Sequence, residues 1–131
     1  MVVRAVLRLA RRLRQAAGAS ELTGGALGLL ATLRRDGSMS AVELARREGL
    51  KPQSVSRLIA GLDRAGFIAR ALDAADRRRH VIAITAQGTS ALRRSMSLRR
   101  RWLADAMARL LSARERSTLL QAAELMLRMA A

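Results

Sequence analysis

The chain has 131 residues, no cysteine and one histidine, and its 25 basic and 10 acidic residues give a formal charge of +15. Its length fits one domain with helical extensions and allows a buried core. Without cysteine, disulfides and cysteine-based redox chemistry are excluded. On charge alone, the polyanionic partner is nucleic acid, an anionic membrane or a ribosomal site. Because no apolar run reaches the length of a membrane span or forms the core of a secretion signal, we expect a soluble cytoplasmic protein.

The first third of the chain predicts two helices. Residues 1–17 have the apolar period of an amphipathic helix, with arginines on the opposite face. Such a helix can lie on a membrane, but a packing or dimerisation helix with a solvated basic face is the favoured interpretation. Residues 18–22 are predicted to be a linker, and Thr23 to cap a second helix that ends near Arg35. The glycines of this second helix either allow another helix to approach closely or leave its first turn mobile.

Residues 40–70 predict two short helices joined by a tight turn. Ser40 and Glu43 have the spacing of a capping box, and Gly49 suits the end of the first helix. Pro52 suits the first turn of the second helix. The expected buried face of that second helix is Val55, Leu58, Ile59 and Leu62, and its outer face is Gln53, Ser54, Ser56, Arg57 and Arg64. A capped helix, a glycine turn and a proline-started helix with a polar outer face, in this order, are typical of a helix-turn-helix whose second helix enters the DNA major groove. The alternative is a plain helical hairpin inside a bundle.

A β-hairpin is predicted next, with strands at 68–72 and 79–84 and a polar tip at 73–79. A hairpin after a recognition helix is a wing, and arginines at its tip can reach phosphates or the narrow minor groove. The alternative is a solvated turn with local ion pairs.

The last third of the chain predicts two more helices. Thr85 is expected to cap a helix that ends near Leu111, and Ser112 with Glu115 to open a final helix. The apolar stripes of the terminal helices are longer than so small a domain can cover. They imply a partner, most simply a second copy of the chain.

No catalytic or metal site is predicted. The sequence has no nucleophile–base spacing and no phosphate-cradling glycine loop after a predicted strand. Asp73 and Asp76 lie on a solvated hairpin tip. General acid–base catalysis needs a carboxylate whose pKa is raised by desolvation, and a solvated tip does not provide it. The single histidine, His80, is expected on the surface, because a metal site needs several ligands. We therefore predict no enzyme, no metal and no cofactor.

The chain resembles the MarR family of bacterial transcriptional regulators over nearly its whole length. The resemblance rests on three stretches, ELARREGLKPQSVSRLIAGLDRAGFIAR, DAADRRR and ITAQGTSAL. The family shows a similar SxxELA helix, a xxVxRLxxxLxxxGxIxR recognition helix and strand, a DxxDRR wing and a hydrophobic-Thr-xx-Gly start to its dimerisation helix. All four occur here in order and at suitable spacing, which is more specific than a lone helix-turn-helix.

The resemblance implies a fold that is mainly α with a small β-hairpin wing (α+β), a winged helix-turn-helix with N- and C-terminal dimerisation helices. It implies one domain over residues 1–131. In it, 1–17 and 86–131 are dimerisation helices and 23–85 form the DNA-binding lobe. The function it implies is a cytoplasmic homodimeric repressor that binds a palindromic double-stranded DNA operator, with half-sites about 10 bp apart. The alternatives are a non-specific architectural nucleic-acid-binding protein and a membrane-surface protein that uses its first helix.

The resemblance also guides the choice of site residues. The predicted DNA-binding residues are Ser40, Lys51, Gln53, Ser54, Ser56, Arg57, Arg77, Arg78 and Arg79. Of these, Arg77 is expected in the minor groove, and Asp76 is expected to orient a neighbouring arginine. Many relatives release DNA when a small aromatic or phenolic anion binds, so such an effector is implied here. Trp102 is the candidate to line its site, with a place in the dimer core as the alternative.

Overall fold

The structure is a computed structural model that describes residues 1–18 and 22–131. These residues contain six helices and two strands. They follow in the order α1 (Val2–Ala16), α2 (Gly24–Asp36), α3 (Ala41–Glu48), α4 (Pro52–Arg64), β1 (Ile68–Leu72), β2 (His80–Ile84), α5 (Ala86–Leu110) and α6 (Ala113–Ala130). Every predicted helix is confirmed to within one or two residues at each end. Strand β2 begins at His80, one residue later than predicted. The predicted linker lies largely outside the described residues.

The chain divides into two compact units. One unit joins Met1–Ala16 to Leu98–Ala131, and the other is Ala17–Ser97, which we call the winged lobe. The boundary between the units falls within α5, at Ser97, whereas the sequence suggested a division at the start of that helix.

The core of the winged lobe is aliphatic. Leu29 and Leu30 of α2, Leu44 of α3 and Val55 of α4 are at most 1% exposed. The same cluster takes in Ile59, Leu62, Phe67, Ile68 and Ile82, so that the three helices and the hairpin share one core. Burial of each such side chain stabilises the fold by about 1.5–3 kcal/mol, which is what holds short helices that would be marginal alone.

Glycines end both short helices of the helix-turn-helix as predicted. Gly49 has φ of +61°, and Gly66 has φ of +77°. After α4, the Phe67 amide donates to the Leu62 carbonyl (2.9 Å) and the Gly66 amide to the Asp63 carbonyl (3.0 Å). This is the Schellman arrangement, in which a left-handed residue lets the last carbonyls find donors. It fixes where the chain leaves α4 and enters β1.

The hairpin is antiparallel and is anchored to the start of the helix-turn-helix. In its register Ile68 faces Ile84 and Arg70 faces Ile82. Ile82 also exchanges two backbone hydrogen bonds with Met39, at 2.7 and 3.2 Å. The sequence did not predict this bridge, which fastens the wing to the residue that precedes the N-cap of α3.

The glycines of α2 serve close approach. A Cβ added at Gly25 would lie 3.1 Å from Leu58 Cδ1, and one added at Gly28 would lie 3.1 Å from Glu48 Oε2. Beside Gly28, the Thr32 hydroxyl donates a hydrogen bond to Glu48 Oε1. Of the two explanations that the sequence left open, the structure supports close approach of neighbouring helices.

The terminal-helix unit leaves much apolar surface exposed. Side chains that are more than 60% exposed include Val2, Val3, Leu7, Leu110, Leu120, Leu127 and Met129. The predicted capping box of α6 is confirmed: Ser112 Oγ accepts from the Glu115 amide (3.2 Å), and Glu115 Oε2 accepts from the Ser112 amide (2.8 Å). None of the described helices is both long enough and apolar enough to cross a membrane.

Candidate nucleic-acid interface

Helix α4 has one buried face and one polar face, as the sequence predicts. Val55, Ile59 and Leu62 are 1–4% exposed, and Leu58 packs against the same core. The other face is exposed and carries Gln53, Ser54, Ser56, Arg57 and Arg64. Pro52 occupies the first turn, where its missing N–H costs no hydrogen bond. The helix therefore presents a row of amide, hydroxyl and guanidinium groups to solvent while the core holds its other side.

Two further predicted contact residues lie at helix starts. Lys51 is the N-cap residue of α4, is exposed, and makes no side-chain capping bond. Ser40 caps α3 by accepting from the Glu43 amide at 3.2 Å. This leaves the Ser40 hydroxyl hydrogen available to an outside acceptor such as a phosphate oxygen.

The capping box predicted at α3 is wrong in its second half. The Glu43 carboxylate does not turn back to the Ser40 amide. It accepts instead from Nε and Nη2 of Arg46, at 2.9 and 2.7 Å, and from Nε of Arg47 at 2.8 Å. Two guanidinium groups one turn along the helix outcompete a single neutral amide, because charge-assisted hydrogen bonds are the stronger ones.

These bonds form part of a wider charged cluster that the sequence did not reveal. Arg47 also donates through Nη1 to Asp36 Oδ2 (2.8 Å), and Arg35 binds the same carboxylate through Nε (3.0 Å). Hydrogen bonds from Arg46 and then Arg47 lower the pKa of Glu43 to about 2. The Arg35 hydrogen bond is the largest cause of the lowered pKa of Asp36. The cluster links the end of α2 to the exposed side of α3.

The hairpin tip is shaped by two aspartates. Asp73 Oδ1 accepts from the Ala75 amide (3.1 Å), and the Asp73 amide donates to the Arg79 carbonyl (2.9 Å). Asp76 Oδ1 accepts from the Arg78 amide at 3.1 Å and from Arg78 Nε at 3.2 Å. The amide bond first, and then the guanidinium bond, lower the pKa of Asp76. Asp76 is thus bonded to one neighbouring arginine, which is the contact that its predicted orienting role requires.

The wing arginines differ in their surroundings. All three of Arg77, Arg78 and Arg79 are exposed, and the Arg78 side chain is 91% exposed even though it pairs with Asp76. Arg77 and Arg79 form no ion pair within residues 1–18 and 22–131. His80 is exposed on β2, as expected for a surface residue.

The end of α4 is joined to the start of α5 by a compact set of bonds around Thr85. Its hydroxyl donates to the Gly66 carbonyl (2.6 Å) and accepts from the Gly88 amide (3.0 Å), which confirms the predicted cap. Its amide donates to the Phe67 carbonyl at 3.0 Å. Gly88 lies against that carbonyl so closely that no side chain fits there. The orientation of α4 is therefore tied to that of the first turns of α5.

One open groove adjoins this junction. Its volume is about 740 Å³, and its lining is Ala65, Phe67, Ala86, Gln87, Ser90 and Arg94. Trp102, the residue considered for an effector site, is half-buried in the second half of α5 and does not line this groove. No group of three histidine or acidic side chains that could hold a metal ion occurs among the residues that the structure describes.

The capped α3, the recognition-type helix α4 and the anchored hairpin together define a winged helix-turn-helix lobe. The sequence model of the MarR family matches residues 22–80. An HTH-type transcriptional regulator of Mycobacterium tuberculosis is 37% identical over 123 residues, which is 94% of this chain and 85% of that protein. The chain belongs to the MarR family. It is therefore a DNA-binding transcriptional regulator of a family that does not consist of enzymes.

Solved structures show the same fold. A MarR family protein from Bacillus stearothermophilus superimposes with a TM-score of 0.83 at 20% identity, covering 99% of this chain and 91% of that chain. A protein of Pseudomonas aeruginosa PA01 superimposes with a TM-score of 0.80 at 29% identity, covering 98% of this chain and 89% of that chain. The predicted fold class, mainly α with a small β-hairpin wing, is confirmed.

Proposed function

We propose that this protein is a homodimeric repressor that binds an inverted-repeat operator, with α4 in the major groove and the wing tip in the minor groove. The observation that supports this most is the exposed polar face of α4 opposite a buried face. Arg57 is suited to a bidentate contact with guanine, and Gln53 to one with adenine. Ser54 and Ser56 add short donors and acceptors that suit base edges or phosphates.

The remaining predicted residues are proposed as contacts to the DNA backbone. Arg77, exposed and without an acidic partner among the described residues, is assigned to the minor groove, where negative potential attracts arginine. Arg78 and Arg79 are assigned to phosphates, and Asp76 positions Arg78 through the observed bonds. Lys51 and Ser40 lie at helix starts, where phosphates bind well. These contacts release counterions, so binding weakens steeply as salt rises.

A dimer is proposed from the exposed apolar side chains of the terminal-helix unit. So many large apolar side chains left exposed on three helices favour an interaction site, and a second copy is the simplest occupant. In this proposal residues 1–17 and 86–131 build the dimer and residues 23–85 bind DNA. The two lobes then bind half-sites about 10 bp apart, and binding over a promoter blocks transcription. The site of action is the cytoplasm, where a bacterial chromosome lies.

Release by a small aromatic or phenolic acid is a further part of the proposal. BpsR of Bordetella bronchiseptica, whose DNA binding is regulated by 6-hydroxynicotinic acid, has a similar fold (TM-score 0.71, 22% identity). Here the groove at the α4–α5 junction has an apolar floor at Phe67 and a cation at Arg94. An occupant that favours one α4 orientation would shift the DNA-binding equilibrium. Operator release by an aromatic acid, absent in an Arg94→Gln variant, would support this site; equal release from both proteins would refute it.

The experiment that tests DNA recognition compares two arginine variants. Arg57→Ala is expected to lower operator affinity by about 1–3 kcal/mol and to relax the preference at one base pair. Arg77→Ala is expected to weaken binding more evenly across sequences. Arg34→Ala, which removes an exposed charge from α2, is the matched control and should leave sequence preference unchanged. If both test variants lose only uniform affinity, α4 is not the recognition helix.

A non-specific architectural protein is the second candidate, favoured by the formal charge of +15. It predicts binding that follows salt concentration and ignores sequence. A competition assay separates the two functions: labelled operator is bound to the protein, and either unlabelled operator or unrelated duplex DNA is added. An architectural protein releases the labelled DNA equally well to either competitor, whereas a repressor releases it preferentially to the operator.

A further inference from the structure

Most of the excess positive charge lies outside the winged lobe. Residues 17–97 contain 13 basic and 7 acidic residues and so account for +6 of the formal charge of +15, whereas residues 1–16 contain five arginines and no acidic residue. Concentrated like charge destabilises a compact protein through self-repulsion. A helix that carries only arginine as its charged residue therefore calls for a compensating polyanion.

Four of these arginines form one face of α1. Arg4, Arg8, Arg11 and Arg12 have the spacing i, i+4, i+7 and i+8, which places them on one side of a helix. All four are exposed, and none pairs with a described acidic residue. Arg12 Nη1 makes a long hydrogen bond to Gln15 Oε1, at 3.4 Å, which leaves its charge uncompensated. The four guanidinium groups are thus available to bind an external anion.

The dimensions of this face suit a DNA backbone. Eight residues of helix rise by about 12 Å, and a duplex carries about seven phosphate charges over that length. Guanidinium matches phosphate through two parallel hydrogen bonds, which an ammonium group cannot do. We propose that the arginine face of α1 is a second, sequence-independent contact surface for the phosphates of double-stranded DNA, separate from the recognition helix.

A membrane is the less suitable occupant. Interfacial helices typically insert tryptophan, phenylalanine or leucine beside their basic face. Helix α1 has three leucines but no tryptophan or phenylalanine, and its other six apolar residues are valines and alanines, whose smaller side chains bury less apolar area. The proposal goes beyond operator recognition and does not depend on it, because α1 lies outside the winged lobe.

The test removes the arginine face by substitution with glutamine, which keeps a similar helix propensity. The test variant is Arg4→Gln, Arg8→Gln, Arg11→Gln and Arg12→Gln. The control removes the same charge from exposed positions of α5 and α6 and is Arg101→Gln, Arg109→Gln, Arg114→Gln and Arg128→Gln. Affinity for a duplex of unrelated sequence is measured over a series of salt concentrations. Circular dichroism and sedimentation establish that each variant keeps its helix content and assembly.

In a plot of the logarithm of the binding constant against the logarithm of the salt concentration, the slope should become shallower in the test variant. The expected change is about 0.9 for each phosphate that is no longer neutralised, so about 2–4 in all. The control should change it by less than about one. The double variant Arg4→Gln, Arg8→Gln should give about half the change in slope, and it replaces the fourfold variant in the test if the fourfold variant does not fold. The preference for operator over unrelated DNA should remain in all three variants. A weakened operator preference in Arg57→Ala, with the α1 effect intact, would separate the two surfaces.

Three results would overturn the proposal. An unchanged slope in the test variant would mean that α1 binds no phosphates. Equal changes in test and control would assign the effect to net charge rather than to this face. Binding of the wild-type protein to phosphatidylserine vesicles, abolished in the test variant while DNA binding stays the same, would assign the face to a membrane.

Discussion

Substitution of Gly88 tests directly how the orientation of α4 is fixed. A Cβ added at this position would lie 2.9 Å from the Phe67 carbonyl carbon and 3.0 Å from Ile84 Cγ1, and closer still to the Phe67 oxygen. The main obstacle is backbone, so no side-chain rotation can relieve it. In Gly88→Ala the first turn of α5 must move away from the end of α4.

The cost follows from the bonds that this movement disturbs. Overpacking costs about 1–3 kcal/mol. The movement also lengthens the hydrogen bonds from Thr85 to the carbonyls of Gly66 and Phe67, now 2.6 and 3.0 Å. Weakening each of these bonds costs about 0.5–1.5 kcal/mol of stability. The higher helix propensity of alanine offsets about 1 kcal/mol of this cost. We expect a net loss of about 3 kcal/mol in the free energy of unfolding, and a fall in Tm on the order of 10 °C.

The assay is urea unfolding followed by circular dichroism, at one fixed protein concentration because the stability of the proposed dimer would depend on concentration. Gly61→Ala is the matched control: Gly61 is also inside a helix, but an added Cβ meets nothing within 4 Å. It should stabilise the protein by about 0.5–1 kcal/mol. If Gly88→Ala unfolds at the same urea concentration as the wild type, the close junction between α4 and α5 does not exist in solution.

Two further predictions concern acidic side chains. Because the pKa of Glu43 is lowered to about 2 in the folded protein, its stabilising contribution is complete above pH 4.5 and is lost as the pH falls toward 2. Glu43→Gln should flatten the dependence of the unfolding free energy on pH in that window; a dependence as steep as that of the wild type would contradict the role of Arg46 and Arg47. Asp76→Ala should weaken DNA binding about tenfold, the scale of one charge-assisted hydrogen bond, although it removes a negative charge near phosphates. Asp105→Ala, at an exposed position of α5 outside the winged lobe, is its control, and tighter binding by Asp76→Ala would mean that the carboxylate only repels DNA.

Local signals in the sequence were sufficient to locate the helices and their ends. Gly49 and Gly66 were predicted to end α3 and α4, and both have positive φ. Ser112 and Glu115 were predicted to cap α6, and both of their bonds are present. Caps of this kind involve residues only a few positions apart, so the sequence itself contains both partners.

Features that depend on distant partners were not predicted. The Met39–Ile82 bridge joins residues far apart in sequence and has no periodic pattern of its own. The Thr32–Glu48 bond crosses from α2 to α3, so it requires the packed geometry. At Glu43 the sequence offered several donors of similar spacing, and only the packed helix decided between the Ser40 amide and the two guanidinium groups.

The candidate site was predictable to the level of a helix face. The helical period alone assigned Gln53, Ser54, Ser56 and Arg57 to the solvent side of α4, and all four are exposed. Which wing arginine is held by Asp76 was not predictable, because Arg77, Arg78 and Arg79 are adjacent and chemically identical. The base pair that each residue contacts depends on how the lobe docks on a duplex and on how that duplex deforms, neither of which is a property of the chain.

The proposed function is sequence-specific DNA binding by a dimer of this protein. Selection of bound sequences from random duplex DNA by the purified protein, at near-physiological salt, tests that claim most directly. We predict that it recovers an inverted repeat with half-site centres about 10 bp apart. Tight, salt-sensitive binding that enriches no motif would contradict the claim, and would leave α4 and the wing as a non-specific surface for phosphates.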